Sequence, residues 1–257
     1  MDLGLQGKVA LVTGGSRGIG RVIALRLAAE GCAVGICGRT EETLDRMLGE
    51  LRRHGGQTHA VVSDVTQPGE VERFVDESAG ALGGVDLLVA NVGGATSWRF
   101  AEATADDWVA TFDLNLFHAA RAIKAVVPHM ASRGGGSAVT ISSISGSKAG
   151  PGALYGTAKA AEIFLPGALA WELADQRIRV NTVSPGSIVA PGGGWARMQE
   201  REPERFNTFA TNEFPWGRLG TADEVADVVA FVLSERATWI NGANIPVDGG
   251  QGKPSIS

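Results

Sequence analysis

The stretch Val9-Ala10-Leu11-Val12-Thr13-Gly14-Gly15-Ser16-Arg17-Gly18-Ile19-Gly20 decides the fold. A short apolar, β-branched run enters a cluster of glycines. Beyond it, Arg21–Glu30 sets Val22, Ile23, Leu25 and Leu27 at helical spacing and stops at Gly31. Glycines between a strand and a helix permit a tight turn and let backbone N–H groups approach a pyrophosphate at the helix N-terminus. A glycine-rich string is a weak signal alone, but here it stands in the strand-to-helix context that dinucleotide binding requires. Gly14, Ser16, Arg17, Gly18, Ile19 and Gly20 form the candidate phosphate loop.

The same alternation recurs along the chain. Strands are expected at Ala33–Cys37, Thr58–Ser63, Leu87–Ala90, Ala138–Ser142, Arg179–Val183 and Asn244–Val247. Helices are expected at Glu41–His54, near Pro68–Ala81, over a long stretch Asp106–Ser132, and at Leu154–Ala174 and Ala222–Leu233. Continuous apolar strands alternating with helices signal a parallel sheet covered on both faces. The expectation is an α/β fold: one Rossmann-type, doubly wound parallel sheet of about seven strands in an α/β/α sandwich, filling 1–257 as a single domain. The exception is Ser187–Trp216, which is Gly/Pro-punctuated and rich in aromatics. Loops of that length in compact domains are usually functional or disordered, and a substrate-binding lid is expected at about 187–217.

Composition narrows the class. The chain has 257 residues, a net charge of −5 and 44% hydrophobic residues, the profile of an ordinary globular protein without the basic footprint that nucleic acid requires. No apolar run approaches the roughly 18 residues of a membrane span. Met1–Lys8 lacks a basic region followed by an apolar stretch, so no signal peptide is expected and the expected location is cytoplasmic. Cys32 and Cys37 sit in one apparent strand, about 16 Å apart when extended, beyond disulfide reach. They read as core cysteines in a reducing compartment. No Cys/His cluster has ligand spacing, so no metal is expected.

The second strand ends in Gly38-Arg39. A carboxylate at this position would bind the ribose hydroxyls of NAD, whereas an arginine can accept a 2′-phosphate. Arg17 supplies a second cation, and two guanidiniums suit a phosphate dianion. NADP(H) is therefore favoured, with NAD(H) kept open; the plainer alternative stacks Arg39 on adenine and leaves Arg17 in solvent.

The chemistry points to Tyr155-Gly156-Thr157-Ala158-Lys159, with Ser142-Ser143 upstream. A Tyr and a Lys four apart share a helix face. An ordinary phenol, with a pKa near 10, is a poor proton donor or acceptor at neutral pH, and a neighbouring cation favours its phenolate. Bringing it to about 7 would take roughly 4 kcal/mol. Alone, the spacing is a weak signal, because an exposed Tyr over a solvated Lys is what it amounts to in most proteins.

Together these residues resemble the short-chain dehydrogenase/reductase family over about Gly4–Gly250. The family's Thr-Gly-x-x-x-Gly-x-Gly is matched by Thr13, Gly14, Gly18 and Gly20, its adenine-contacting Asp by Asp64 with Val65, and its Asn-Asn-Ala-Gly in part by Ala90-Asn91-Val92-Gly93. Asn115 corresponds to the Asn of the long helix. Ser143, Tyr155 and Lys159 correspond to the family's Ser, Tyr and Lys, and Pro185-Gly186 and Asp248-Gly249-Gly250 also match. Ser143 leaves one residue fewer before Tyr155 than the family spacing, which Ser142 would restore. Ser143 is preferred because Gly146 then falls in its usual place. The Thr that often contacts the nicotinamide amide is Ala190 here, leaving backbone groups at Ile188 for that task, and Val92 replaces an Ala.

The resemblance implies an NAD(P)-dependent oxidoreductase interconverting a ketone and a secondary alcohol. Tyr155 would be the general acid in reduction and the base in oxidation. Lys159 would lower its pKa and bind the nicotinamide ribose, Ser143 would polarise the carbonyl, and Asn115 would hold a water linking Lys159 to solvent. The implied cofactor contacts are Gly14, Ser16, Arg17, Gly18, Ile19, Gly20, Arg39, Asp64, Val65, Asn91, Gly93, Tyr155, Lys159, Pro185, Gly186 and Ile188. A homotetramer, or a homodimer, is implied on the two long helices, where Phe164 and Trp171 are contact candidates.

The substrate side is less specific. Trp98, Trp195, Met198, Phe206, Phe209, Phe214 and Trp216 suggest a lid over an apolar pocket, although about half could pack the lid onto its own core. Arg197, Arg201 and Arg205 could meet an anionic substrate, but interleaved Glu200, Glu202 and Glu204 favour a solvated face. A medium-sized ketone is expected. A 3-oxoacyl thioester carried by acyl-carrier protein or CoA, and a non-catalytic NADP(H)-binding sensor, are the alternatives.

Overall fold

A computed structural model of the chain describes residues 1–252. The end of the expected domain, 253–257, lies outside the described residues. Within them run β1 (Val9–Val12), α1 (Gly18–Ala29), β2 (Ala33–Gly38), α2 (Glu41–Leu51), β3 (Thr58–Val62), α3 (Glu70–Leu82), β4 (Leu87–Ala90), α4 (Ala105–Phe112) and α5 (His118–Ser132). There follow β5 (Gly136–Ile141), α6 (Ala153–Glu172), β6 (Ile178–Pro185), β7 (Ile188–Val189), α7 (Gly194–Arg201), α8 (Pro203–Glu213), β8 (Gly220–Thr221), α9 (Ala222–Leu233) and β9 (Asn244–Val247).

Seven strands form one sheet in the order β3-β2-β1-β4-β5-β6-β9, all parallel. Alternate residues of β1 feed opposite cores: Ala10 and Val12 pack with α1 and α9, while Val9 and Leu11 pack with α3 and α5. That two-sided burial is why the strands read as continuous apolar runs. The chain reverses its winding between β1 and β4. A doubly wound sheet opens a crevice there, beyond the C-terminal strand ends.

Three expectations need correction. The long helix Asp106–Ser132 is interrupted: α4 passes into a π-helical turn at Asp113–Phe117 before α5. Such turns cluster at functional sites, and this one carries Asn115. Periodicity over a long apolar face does not register one inserted residue. Second, the 187–217 segment is not a structureless loop but holds two helices, α7 and α8, with their own small core of Phe206, Ala210, Phe214 and Leu219. Third, Cys32 precedes β2 rather than lying in it; both cysteines are free and buried, and burial pushes both thiols up to about 12.

Candidate active site

A cleft of about 1130 Å³ lies along the C-terminal ends of the central strands. Every strand end there delivers a residue singled out in the sequence: β1 the glycine loop, β2 Arg39, β3 Asp64, β4 Asn91 and Gly93, β5 Ser143, and β6 Pro185 and Gly186. The position follows from topology, because parallel strands place all their C-terminal ends on one side.

In the glycine loop, Arg17 stands as the N-cap of α1 without a side-chain cap. The first-turn N–H groups, which no helical carbonyl can satisfy, therefore remain to receive an anion. Ser16, Arg17, Gly18, Ile19, Arg39 and Thr40 line the same end of the cleft. Asp64 uses one carboxylate oxygen to bind the Thr66 amide and hydroxyl, at 3.1 and 2.8 Å, which fixes the turn after β3. Val65 also lines the cleft, and its carbonyl accepts from Arg121. Asn91 donates from Nδ2 to the Thr13 carbonyl at 3.1 Å and from its amide to Thr13 Oγ1 at 2.9 Å, clamping β4 to the loop. Two expected contacts do not line the cleft. Gly20 packs behind it, where a Cβ would sit 2.4 Å from Asn91 Nδ2. Ile188 buries its side chain in the core and pairs with Gly220 across β7 and β8.

Ser143, Tyr155 and Lys159 converge at the other end. Ser142 and Ser143 divide their tasks. Ser142 is buried and donates to the Lys159 carbonyl at 2.8 Å, whereas Ser143 Oγ accepts from the Ser145 amide at 3.1 Å, which leaves its own hydroxyl proton to give. Gly146 permits the close approach of this turn to α6, since a Cβ there would meet the Lys159 carbonyl carbon at 2.6 Å. Asn115 is fully buried and both of its Nδ2 protons are used: Nδ2 donates to the carbonyls of Thr111 (2.6 Å) and Gly94 (2.7 Å), and Oδ1 accepts from the Gly94 amide (3.1 Å). It locks the loop after β4 so that Gly93 passes between Asn115 and Lys159; a Cβ at Gly93 would stand 2.7 Å from Lys159 Nζ. The missing Cβ is what lets Lys159 Nζ and Asn115 Oδ1 come this close to the backbone at Gly93.

Sequence reasoning missed the partner of Lys159. Its Nζ lies 5.7 Å from the Tyr155 ring centroid, but it is buried and donates to the Ile141 carbonyl (2.9 Å) and to Glu162 Oε2 (2.6 Å). Burial pushes the Glu162 carboxyl up to about 7 against the lowering pull of Lys159. Pro166 explains the local geometry. It has no N–H to give the carbonyl four residues earlier, so the Glu162 carbonyl turns to the hydroxyls of Thr182 (3.3 Å) and Thr140 (3.5 Å), tying α6 to β5 and β6. The signal was in the sequence: between Ala153 and Trp171, Lys159 and Glu162 are the only charged residues, three apart on the buried face.

Of the expected lid aromatics, Trp195 stacks on Phe209 with centroids 4.4 Å apart, and Phe209 meets Phe214 edge-on. Phe206 and Phe214 are buried, Met198 is partly buried against them, and Trp216 is exposed. The segment thus packs mainly on itself. Trp98, outside it, lies 5.4 Å from the Tyr155 ring and is 61% exposed. Arg205 pairs with Glu202, while Arg197 reaches the cleft and donates to the Gly192 carbonyl.

A family model described as "Enoyl-(Acyl carrier protein) reductase" matches residues 14–251. The chain is 34% identical to the 3-oxoacyl-[acyl-carrier-protein] reductase FabG of Thermotoga maritima, over 96% of this chain and 98% of the relative. It is 36% identical to human dehydrogenase/reductase SDR family member 4, over 96% and 88%. Among solved structures, L-sorbose reductase from Gluconobacter frateurii complexed with NADPH and L-sorbose superposes with a TM-score of 0.92 at 31% identity, covering 99% of this chain and 100% of that one. A 7α-hydroxysteroid dehydrogenase complexed with NADH and 7-oxo glycochenodeoxycholic acid superposes with a TM-score of 0.90 at 30% identity, covering 98% and 97%.

Proposed function

The chain belongs to the short-chain dehydrogenase/reductase family, an NAD(P)-dependent oxidoreductase acting on CH–OH and C=O groups, and we propose that it interconverts a medium-sized, largely apolar ketone and its secondary alcohol with NADPH preferred. The observation that carries this reading is the meeting of Ser143, Tyr155 and Lys159 in one cleft whose far end holds Arg17 and Arg39.

A nicotinamide cofactor fits the residues present: free first-turn amides at α1, the guanidiniums of Arg17 at the α1 N-cap and of Arg39 just after β2, and the stretch of the same cleft that Tyr155 and Lys159 line. When bound, it supplies or accepts the hydride. Ser143 donates a hydrogen bond from its hydroxyl to the substrate oxygen, keeping its proton, and stabilises the negative charge that grows there. Tyr155 delivers the proton that completes the alcohol, or removes it in oxidation. The Lys159 ammonium favours the phenolate left behind, so the proton leaves more readily. Asn115 acts by fixing the loop that carries Gly93, and in the expected relay it also holds the water that returns the proton. A 2′-phosphate would be met by Arg17 and Arg39, and the extra anion is what separates NADPH from NADH at this site.

Trp98 over Tyr155 and Arg197 at the cleft mouth bound the substrate: an apolar body beside the indole, with an anionic tail tolerated near the guanidinium. The second feature, with the printed activity of the Thermotoga relative, keeps a 3-oxoacyl thioester as the second reading. The 187–217 segment, self-packed and entered through Gly192–Gly194, is read as the lid. Phe164 and Trp171 project from α6 at 77% and 89% exposure, which supports a homotetramer or homodimer in which α6 is covered by another copy. Light scattering that finds a stable monomer at micromolar concentration would contradict that assembly. Buried free thiols suit a reducing, cytoplasmic setting, and no helix among the described residues is long and apolar enough to cross a membrane.

The test is oxidation of NADPH and of NADH against ketones, diketones and 3-oxoacyl thioesters. Turnover of a ketone with NADPH supports the reading, and turnover of thioesters alone selects the second. Tight NADPH binding with silence across the panel would indicate a sensor instead.

A further inference from the structure

Lys159 does not face Tyr155 as a free cation. Of the three protons on its ammonium, the Ile141 carbonyl takes one and Glu162 Oε2 takes another, leaving one for the cleft side. Glu162 is wholly buried, and its other oxygen, Oε1, has no hydrogen-bond partner among the described residues. A buried carboxylate half-satisfied in this way is costly, and structural stability alone gives no reason to retain one. The segment that holds it is tied down on every side: Ser142 binds the Lys159 carbonyl, and Thr140 and Thr182 bind the Glu162 carbonyl freed by Pro166.

We propose that Glu162 is a positioning residue for the reaction: its carboxylate draws the Lys159 ammonium toward the end of β5 and offsets part of that cation's field at Tyr155, so the phenol keeps its proton to higher pH. The inference rests on the reading of Tyr155 as the proton-transfer group. Its chemical consequence is directional. A phenol that stays protonated in the neutral range is ready to donate, which favours carbonyl reduction over alcohol oxidation at the same pH.

Few other groups face the pair. On α6 it is Tyr155 itself. From β5 and β6 come only the Ile141 carbonyl and the threonine hydroxyls already bonded. From the π-helical turn, Asn115 is neutral and Asp113 is paired with Arg121. From the start of α5, His118 is held neutral, its pKa lowered to about 3 chiefly by burial and further by the Lys159 charge. The Ser143–Gly146 turn brings no charge, and Lys148 just beyond it is paired with Asp248. Glu162 is thus the group placed to set how strongly Lys159 acts, and burial brings its own titration to about 7.

Tyr155 is the only tyrosine in the chain, so tyrosinate difference absorbance of the cofactor-free protein reads this phenol alone. Glu162→Gln keeps an oxygen for Nζ and removes the charge. It is expected to lower the midpoint of the tyrosinate signal by about one pH unit, a tenfold change in the ionisation constant, for unit charges several ångströms apart in a partly screened interior. The alkaline limb of kcat/KM for reduction should move down with it. Glu162→Asp, which keeps a charge but draws it back, should shift both in the same direction by less, and it carries the test if the Gln variant does not fold. A midpoint that stays put or rises, or a uniform loss of activity with an unmoved pH profile, would overturn the proposal and leave Glu162 a packing residue. Failure of the underlying reading looks different: Tyr155→Phe would then keep its turnover, whatever the tyrosinate titration of Glu162→Gln shows.

Discussion

The floor and the cover of the cleft are built on opposite plans. On the floor, side chains come from the ends of buried strands and from the inward face of α6, and the supporting polar side chains are tied to neighbours: Asn115 makes three bonds, Asn91 clamps β4 to the glycine loop, and Lys159 is held by Ile141 and Glu162. The cover, from Ser187 to Trp216, has four residues of core, a stacked Trp195–Phe209 pair and solvated arginines. On the proposed reading, the tied-down floor fixes where cofactor and proton donor meet and sets the chemistry, while the self-packed cover can change its contents without disturbing them and sets substrate choice.

The difference can be broken most forcefully at Lys159. Lys159→Ala leaves the Glu162 carboxylate buried and unpaired, so it is expected to cost about 3–5 kcal/mol of stability as well as turnover. Urea denaturation checks the first and steady-state kinetics the second. A stable, inactive variant would show that the pair adds little to the fold.

The next effect is a pH dependence in which two buried groups oppose each other. Glu162, raised from 4.5 to about 7, binds its proton more tightly when folded, so its stabilising contribution is full below pH 4.5 and is lost as pH rises through about 7. His118, lowered from 6.5 to about 3, does the reverse: stability rises with pH from about 3 to 6.5. The two slopes cancel between pH 4.5 and 6.5. Denaturation of the wild-type protein should show little contribution from this pair across that window, whereas Glu162→Gln should gain on the order of 2 kcal/mol from pH 4.5 to 6.5 as the His118 slope is uncovered. Equal slopes in the two proteins would contradict the assignment.

Smaller effects separate the cofactor end from the cover. Arg39→Ala should raise KM for NADPH by about tenfold, roughly 1.4 kcal/mol, and leave KM for NADH nearly unchanged, as read by parallel titrations. An equal loss for both would place Arg39 on the adenine rather than on a phosphate. Trp195→Ala, in the cover, should change substrate KM severalfold while stability moves by only about 1 kcal/mol, because the ring stacks within a local cluster.

Legibility in the sequence follows the same division. The glycine loop and Arg39 were legible because strand–turn–helix order survives in one dimension, and Asn115, Ser143, Tyr155 and Lys159 through the family resemblance that the ordered motifs carry. The serine choice is also supported in space, where Ser142 is spent on the Lys159 carbonyl. The π-helical turn was invisible, since one inserted residue barely alters an apolar face. Glu162 was overlooked for another reason. An acid three residues from a lysine reads as a surface pair until packing shows that both are inside. The cover gave up its aromatics but not its helices, because its period is broken by Gly and Pro and its core is only a few residues deep.

Tyr155→Phe tests the role of the phenol, with kcat and the dissociation constant of NADPH measured side by side on the wild-type protein and the variant. Loss of the proton donor from an intact cofactor site should lower kcat by about a thousandfold and change NADPH affinity by less than about twofold. Retention of more than about a tenth of kcat would mean that another group moves the proton, and the account of this cleft would be wrong.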